Sequence, residues 1–219
     1  EMHDRLFADP RPFAGEVAAA NHMSFPEVQA LLRTVRIFHV LCGLHLKMSE
    51  LADLLERYRR GAELLAMATT GAAGPVLEFK VEGHAWTVRQ IVCHLADSEA
   101  VAVMRFRQVL AEENPTLQWF DDAAWAEKLD YGKRKVSQGL ETFRRLRADN
   151  HELLKDLPEA AFARTGTHTK DGVMTLRALV EWFAAHLEEH VMEIQAVRAA
   201  YKEFRAKELA AQQQAQQAQ

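Results

Sequence analysis

The chain has 219 residues, a length that suits one domain with a full core better than two. Hydrophobic residues make up 48% and the formal net charge is −4. This composition excludes a disordered chain and the basic stripe by which proteins bind nucleic acid. The longest apolar stretch, residues 35–46, contains Arg36, His39 and His45 and is too short to cross a bilayer, so we expect no membrane partner.

Residues 1–47 differ in character from the rest of the chain. Their first half is interrupted by Pro10, Pro12, Gly15 and Pro26. The segment lacks the basic start and the apolar run of a signal peptide. We therefore predict an N-terminal extension of undefined role, with room for one extra helix, outside the functional domain. Cys42 and Cys93 form no Cys-x-x-Cys pair and no disulfide framework, which favours a reducing cytoplasm.

Four helical runs follow, separated by glycine and proline. Apolar residues recur at helical spacing in the predicted helices 50–69, 87–113, 135–157 and 175–208. Thr87 and Gln90 have the spacing of a capping box, which predicts the start of the second helix. The Val76 to Val81 run is a weak strand candidate at most. The sequence predicts an all-α fold, a four-helix bundle over residues 48–208, followed by a frayed low-complexity tail at residues 209–219.

The connection between the second and third helices has about twenty residues and is rich in aromatic and acidic side chains. Connections in helical bundles are usually shorter, so a long one indicates a functional loop or a crossover. A long crossover also allows two sequential helices to run parallel. Trp125 and Asp122 in this segment are candidates to close a pocket; the alternative is an apolar cluster that only pins the loop.

His186 and His190 lie four residues apart on the predicted last helix, so their rings project from one face. Phe183, Leu187 and Ile194 in the same stripe place that face inward. Buried imidazole nitrogens need partners, and a shared metal ion supplies them. The alternative is a pair of core histidines that bond to Glu189 or Glu193. His94 on the second helix makes three inward histidines in one bundle, a set of nitrogen ligands that suits zinc, nickel or iron(II).

The segment from Trp86 to Glu99 resembles the second-helix signature of the DinB-like superfamily, in its subgroup of metal-dependent hydrolases and bacillithiol-transferase-like proteins. The resemblance rests on Trp-Thr-Val-Arg-Gln followed by His-Leu-Ala-Asp-Ser. Further similar segments are residues 105–107, 113–116, 122–125 and 162–168. The closing residues 186–190 resemble the metal pair of the family's last helix. The resemblance covers about residues 48–198.

This resemblance implies an up-down-down-up bundle, with one divalent metal ion held by His94, His186 and His190. Zinc is the first expectation, with nickel or iron as alternatives. Three protein ligands leave a coordination position open, as in catalytic sites, and an ion so held lowers the pKa of a bound water or thiol. Close relatives that act as bacillithiol transferases often carry a histidine where this chain has Glu193, which weakens the transfer of their substrate.

Further site residues are candidates only. Asp97 and Glu99 are possible catalytic groups and, with Glu189, possible partners of the imidazoles; each is equally well read as a helix-surface charge. Arg105, Arg147, Asn150 and Trp125 are candidates for substrate binding, with the two arginines as clamps for the carboxylates of a low-molecular-weight thiol. The alternative is that these arginines only extend along the surface or cap loops.

Two functional hypotheses follow. The first is a cytoplasmic enzyme that acts on a small-molecule substrate, a metal-dependent thiol S-transferase or else a hydrolase of the same fold. The second is a non-catalytic metal- or ligand-binding stress protein. An open coordination position and polar inward residues favour the enzyme. We also expect a homodimer, because DinB-like relatives often pair.

Overall fold

A computed structural model describes residues 50–83 and 86–217. The predicted N-terminal extension, residues 1–47, lies outside this range. The described residues from 52 onward belong to one compact unit. Among the described helices, none combines the length and apolar character required to cross a bilayer.

Four long helices form the bundle. The elements in chain order are α1 (residues 50–69), α2 (Val88–Ala111), β1 (Thr116–Leu117), α3 (Asp122–Lys128), α4 (Val136–Leu154), β2 (Thr165–His168), β3 (Gly172–Thr175) and α5 (Leu176–Gln217). The predicted capping box is confirmed at the start of α2. The Thr87 side chain accepts a hydrogen bond from the Gln90 amide at 3.3 Å, and the Gln90 side chain accepts one from the Thr87 amide at 3.0 Å.

Contacts along α1 show the direction of its neighbours. Arg57 pairs with Glu188, and Arg198 donates to the carbonyl of Thr70 at 2.8 Å, so α1 and α5 run in the same direction. Tyr58 instead bonds to Glu99, while the far end of α1 packs in one core cluster with the beginning of α2. Helices α1 and α2 are therefore antiparallel.

Helices α2 and α4 run in the same direction. Near their beginnings a Cβ added to Gly139 would lie 3.0 Å from Cγ1 of Val92, and further on Arg107 bonds to Asp149 at 2.6 Å. Glycine at position 139 permits this close approach because a larger side chain would displace Val92. The contacts give the up-down-down-up order, and the predicted four-helix bundle is confirmed.

The connections contain structure that the sequence analysis missed. Strand β1 pairs parallel with β2, and β2 pairs antiparallel with β3, in a three-stranded sheet at the edge of the bundle. These strands have two to four residues, too few to show an alternating pattern. The weak strand candidate Val76 to Val81 is wrong, because Gly74–Leu77 forms a 3₁₀ turn.

Helix α5 continues beyond the predicted end near Glu208. It reaches Gln217, so residues 209–217 are helical, where the sequence predicted a tail beyond the last helix. The reason is composition, since alanine and glutamine both have high helix propensity and no glycine or proline interrupts them.

Candidate metal centre

Three histidine side chains from two helices converge on one point. His94 lies on α2, and His186 and His190 lie one turn apart on α5. The Nε2 atom of His186 lies 3.0 Å from Nε2 of His94 and 3.2 Å from Nε2 of His190. One potential ligand atom from each residue falls within 4.8 Å of the other two. The structure thus brings together the three residues that the sequence singled out.

Hydrogen bonds among the three imidazoles cannot satisfy every Nε2 atom of the cluster. Nδ1 of His190 lies 2.8 Å from the carboxylate of Glu193, so it carries the proton, and Nε2 of neutral His190 then offers a lone pair. Nε2 of His186 has at most one hydrogen for two neighbouring nitrogens, so one of its two contacts lacks a straight hydrogen bond. A cation at the centre would accept all three lone pairs.

The distances between the nitrogens also fit a metal ion. Zinc–nitrogen bonds of about 2.0–2.1 Å in a tetrahedral arrangement place two ligand nitrogens roughly 3.3 Å apart. The observed separations of 3.0 and 3.2 Å are close to this value. The donor set and its spacing therefore fit a divalent transition metal.

The environment keeps two of the imidazoles neutral. Burial, reinforced by the neighbouring imidazoles, lowers the pKa of His94 from 6.5 to about 2. Burial also lowers the pKa of His186 to about 3, with His190 and Arg147 contributing in the same direction. Both side chains therefore keep their lone pairs free across the physiological pH range, as metal ligands must.

These lowered pKa values predict how the metal-free protein responds to pH. Above pH 6.5 the two histidines are neutral whether the chain is folded or unfolded. Below pH 6.5 His94 and His186 become protonated in the unfolded chain but stay neutral in the folded protein. The free energy of unfolding therefore falls by up to about 1.4 kcal/mol per pH unit for each histidine. Urea unfolding in a chelator between pH 6.5 and about 5 measures this slope.

The variant His186→Gln is the control for that measurement. It lacks one of the two histidines that stay unprotonated in the folded protein, so its free energy of unfolding should fall less steeply over the same pH interval. An identical slope in the variant and the parent protein would contradict the assignment of the pH dependence to this cluster.

Tryptophan rings enclose the histidines. Trp86 contacts the ring of His94 edge-on at 4.4 Å between centroids and stacks on His190 at 5.8 Å, while Trp182 stacks on His186 at 4.6 Å. These ring contacts restrict the orientation of each imidazole. Neither tryptophan was predicted to take this role.

Two carboxylates lie near the outer nitrogens. Glu193 bonds to Nδ1 of His190 at 2.8 Å, and Asp122 at the start of α3 lies 3.9 Å from Nδ1 of His94. Nδ1 of His94 is buried and has no hydrogen-bond partner within the described residues. Glu193 therefore orients the imidazole of His190. Glu193 lies three residues after His190 on the same helix, and this spacing is why the sequence already suggested it as a possible hydrogen-bond partner of the histidine pair.

The acidic residues proposed as imidazole partners do not take that role. Asp97 accepts hydrogen bonds from Tyr131 at 2.8 Å and from Arg134 at 2.7 Å. Glu189 is exposed. Glu99 is 1% exposed and bonds elsewhere in the core. None of the three is hydrogen-bonded to a histidine, because α2 turns Asp97 and Glu99 away from the ring nitrogens.

Arg147 and Asn150 point inward as predicted, but they lie in the core. Their polar neighbours there are Tyr58 and Glu99. Arg147 is 2% exposed, and its Nη2 lies 2.7 Å from Oε2 of Glu99. Asn150 donates to Glu99 at 2.8 Å. Neither residue lines the cleft described below, and Nε of Arg147 is buried without a hydrogen-bond partner within the described residues. Their role in substrate binding stays a prediction.

Arg105 and Trp125 do line an open space. A cleft of about 830 Å³ runs between α2 and the segment that joins it to α4, and we call it the crossover cleft. Asp97 lies at the end of this cleft towards His94, three residues after it on α2. The three histidines themselves do not line the cleft. Trp125 packs against Phe120 there, with ring centroids 4.5 Å apart.

Comparisons with known proteins agree with this geometry. The profile of a family described as the DinB superfamily matches residues 46–194. A protein of Oceanobacillus iheyensis, named "Putative metal-dependent hydrolase OB0782", is 33% identical over 109 residues, which are 50% of this chain and 63% of the relative. The protein YfiT of Bacillus subtilis carries the same descriptive name and is 34% identical over 111 residues, 50% of this chain and 62% of YfiT.

The solved structure of YfiT shares the fold. It superposes with a TM-score of 0.65 and 26% identity, covering 68% of this chain and 86% of YfiT. Its published description is a probable metal-dependent hydrolase with an unusual four-helix bundle topology. The sequence matches span less than two thirds of the length of these curated relatives.

Proposed function

The chain belongs to the DinB superfamily, and from this premise we propose that it is a metal-dependent enzyme acting on a small molecule. The observation that carries the proposal is the convergence of three Nε2 atoms at separations of 3.0 and 3.2 Å. The names of the relatives support a metal cofactor. Three protein ligands also leave a position for a reacting group, as in catalytic rather than structural metal sites.

Zinc is the metal we propose first, with nickel or iron(II) as alternatives, because three imidazoles suit all of these ions. His94, His186 and His190 would hold it. When bound, such an ion lowers the pKa of a water or thiol beside it and so generates a nucleophile near neutral pH. All three ligands are neutral, so the site keeps a positive charge that favours an anionic partner.

The chain's own residues orient and shield this site. Glu193 fixes the tautomer of His190, since its carboxylate accepts the Nδ1 proton and leaves Nε2 free. Trp86 stacks on His190 and Trp182 stacks on His186. Substrate would enter from the side of the crossover cleft, where Asp97 follows His94 on α2.

The reaction we propose is transfer of a low-molecular-weight thiol to a small electrophile. The positive charge of the metal-loaded site supports it, because it favours the thiolate, the reactive form of a thiol, and the resemblance to bacillithiol transferases supports the class of thiol. Hydrolysis is the second candidate, favoured by the names of the curated relatives. Glu193, in place of a histidine found in close transferase relatives, is the feature that keeps hydrolysis in consideration.

A paired assay separates the two reactions. Zinc-loaded protein is incubated with several biological thiols and a chromogenic haloaromatic electrophile, and in parallel with chromogenic esters and amides. We expect thiol conjugation at least tenfold faster than with metal-free protein or with His94→Ala, since both lack the centre that ionises the thiol. Cleavage of esters or amides without thiol conjugation would show that the protein is a hydrolase and not a transferase. If neither reaction is accelerated, a non-catalytic binding role takes the place of both.

Two further properties are proposals of the same kind. The resemblance supports a homodimer, and sedimentation at micromolar concentration should show a species of about twice the chain mass. A single species of monomer mass would contradict it. A cytoplasmic location is supported by Cys93, which is buried as a free thiol in keeping with a reducing compartment.

A further inference from the structure

The crossover cleft has an apolar wall and one buried cation. Its apolar lining is formed by Val101, Met104, Trp119, Phe120, Trp125 and Leu129. Arg105 lies in the same lining and is only 6% exposed. An arginine buried to this extent normally has an acidic partner.

The hydrogen bonds of Arg105 leave two of its three nitrogens without a partner. Nη2 donates to the carbonyl of Gln118 at 2.7 Å and lies 3.0 Å from Nε2 of His168. Both hydrogens of Nη2 are thereby used. Nε is buried without a partner, and Nη1 makes no hydrogen bond within the described residues. Arg105, which lines the cleft, therefore keeps donor capacity that its neighbours do not use.

The charge of Arg105 is not neutralised by its neighbours. Because the Arg105 guanidinium can only donate, Nε2 of His168 is the acceptor in their contact. Nδ1 of His168 lies 2.8 Å from the carboxylate of Asp171 and 3.1 Å from the backbone nitrogen of Asp171. Within the described residues no carboxylate oxygen comes within 4.0 Å of the guanidinium. Burial lowers the pKa of Arg105, although Asp171 and Asp122 act in the opposite direction. A buried charge without a counter-charge is costly unless an ion of opposite sign binds.

We propose that the crossover cleft binds a small molecule with an apolar body and a carboxylate or phosphate group, and that this acid group pairs with Arg105. The inference rests on the proposed function and deepens it by naming the class of substrate. The aromatic wall accommodates the apolar body. The acid group gains a charge-assisted hydrogen bond to a largely desolvated donor.

The acidic residues of the cleft do not oppose this arrangement. Asp97 is already bonded to Tyr131 and Arg134, and Asp121 caps α3 through the amide of Ala124. Asp97 also precedes Arg105 by eight residues, or about 12 Å along α2. A ligand anchored at Arg105 would extend its other end towards His94 and the metal centre.

Tryptophan fluorescence titration tests the preference, because Trp119 and Trp125 line the cleft. The probes are 3-phenylpropanoate, its neutral analogue 3-phenylpropanamide, and phenyl phosphate. Metal-free protein is used, so that no probe binds through a metal. We expect at least one anion to bind about tenfold or more tightly than the amide. The better of the two anions distinguishes a carboxylate from a phosphate substrate, and equal affinity for all three overturns the proposal.

Variants locate the effect at one side chain. Arg105→Gln should abolish the preference for the anion, and Arg105→Lys should keep part of it. Arg107→Gln is the matched control, because Arg107 lies on the same helix but pairs with Asp149 outside the cleft, and it should keep the full preference. A preference that survives in folded Arg105→Gln refutes the assignment. If that variant does not fold, the wild-type series and Arg105→Lys decide.

This result is independent of the metal. Elemental analysis and the thiol assay can fail while the anion preference persists, in which case the proposed enzyme function is wrong and the subsite is correct. The reverse outcome, a metal-dependent activity with no preference for anionic probes, overturns only the subsite.

Discussion

Replacing His186 and His190 together by alanine is expected to abolish metal binding. The parent protein should hold about one divalent transition-metal ion per chain, and the double variant none, because a single imidazole is a poor site for such an ion. Each single replacement, His94→Ala included, should lower affinity by orders of magnitude. The measurement is elemental analysis of protein purified without a nickel column and dialysed against metal-free buffer.

The chain offers two controls for this experiment. His151→Ala removes a histidine of α4 outside the cluster and should leave the metal content unchanged. Glu193→Gln keeps all three ligands but weakens the bond that orients His190, so affinity should fall roughly 10- to 100-fold. Full metal occupancy in the double alanine variant would refute the assignment of the site.

The second large effect is on stability. Arg147→Met should lower the free energy of unfolding by about 3–5 kcal/mol, because it leaves the carboxylate of Glu99 buried without its counter-charge. Arg147 also donates to the carbonyls of Tyr58 and Phe183 at 3.1 and 3.3 Å, and its guanidinium lies 3.9 Å from the Tyr58 ring centre. Urea unfolding of metal-free protein measures the loss.

A compensating variant separates the charge from the packing. Glu99→Gln combined with Arg147→Met removes both charges, and Gln can still accept hydrogen bonds from Tyr58 and Asn150. The double variant should therefore recover a substantial part of the lost stability, since a buried ion pair replaced as a whole costs far less than a broken one. If Arg147→Met alone lowers the free energy of unfolding by less than about 1 kcal/mol, removal of Arg147 does not leave Glu99 as an uncompensated buried charge, and the explanation is wrong.

The parts of the fold set by local spacing could be predicted. The capping box of Thr87 and Gln90 marks the start of α2 because both hydrogen bonds form within one turn. The pair His186 and His190 shares a face because four residues make about one helical turn. The three short strands could not be predicted, since β1 and β2 are separated by almost fifty residues and their pairing depends on tertiary packing.

The three histidines were predictable, two from their spacing on one helix and His94 from its inward position and the family resemblance, whereas polar pairs that meet across the bundle without such a signature were not. Arg147 was correctly placed on an inward face, but its partner Glu99 is 48 residues away in the sequence. An inward arginine then looks the same whether it faces a core carboxylate or a pocket. Arg105 differs from Arg147 only in its surroundings, which are set by Gln118 and His168 on two other segments.

The parallel course of α2 and α4 has a consequence for the evolvability of the protein. It requires a crossover, and that crossover supplies one wall of the cleft, whereas the three imidazoles come from α2 and α5. Substitutions between residues 112 and 135 can therefore reshape what the cleft accepts while the imidazoles keep their places on the helices. Arg105 shares α2 with His94, but the crossover wall of the cleft is encoded apart from the three histidines, so natural selection or a designer can alter that wall without replacing a metal ligand.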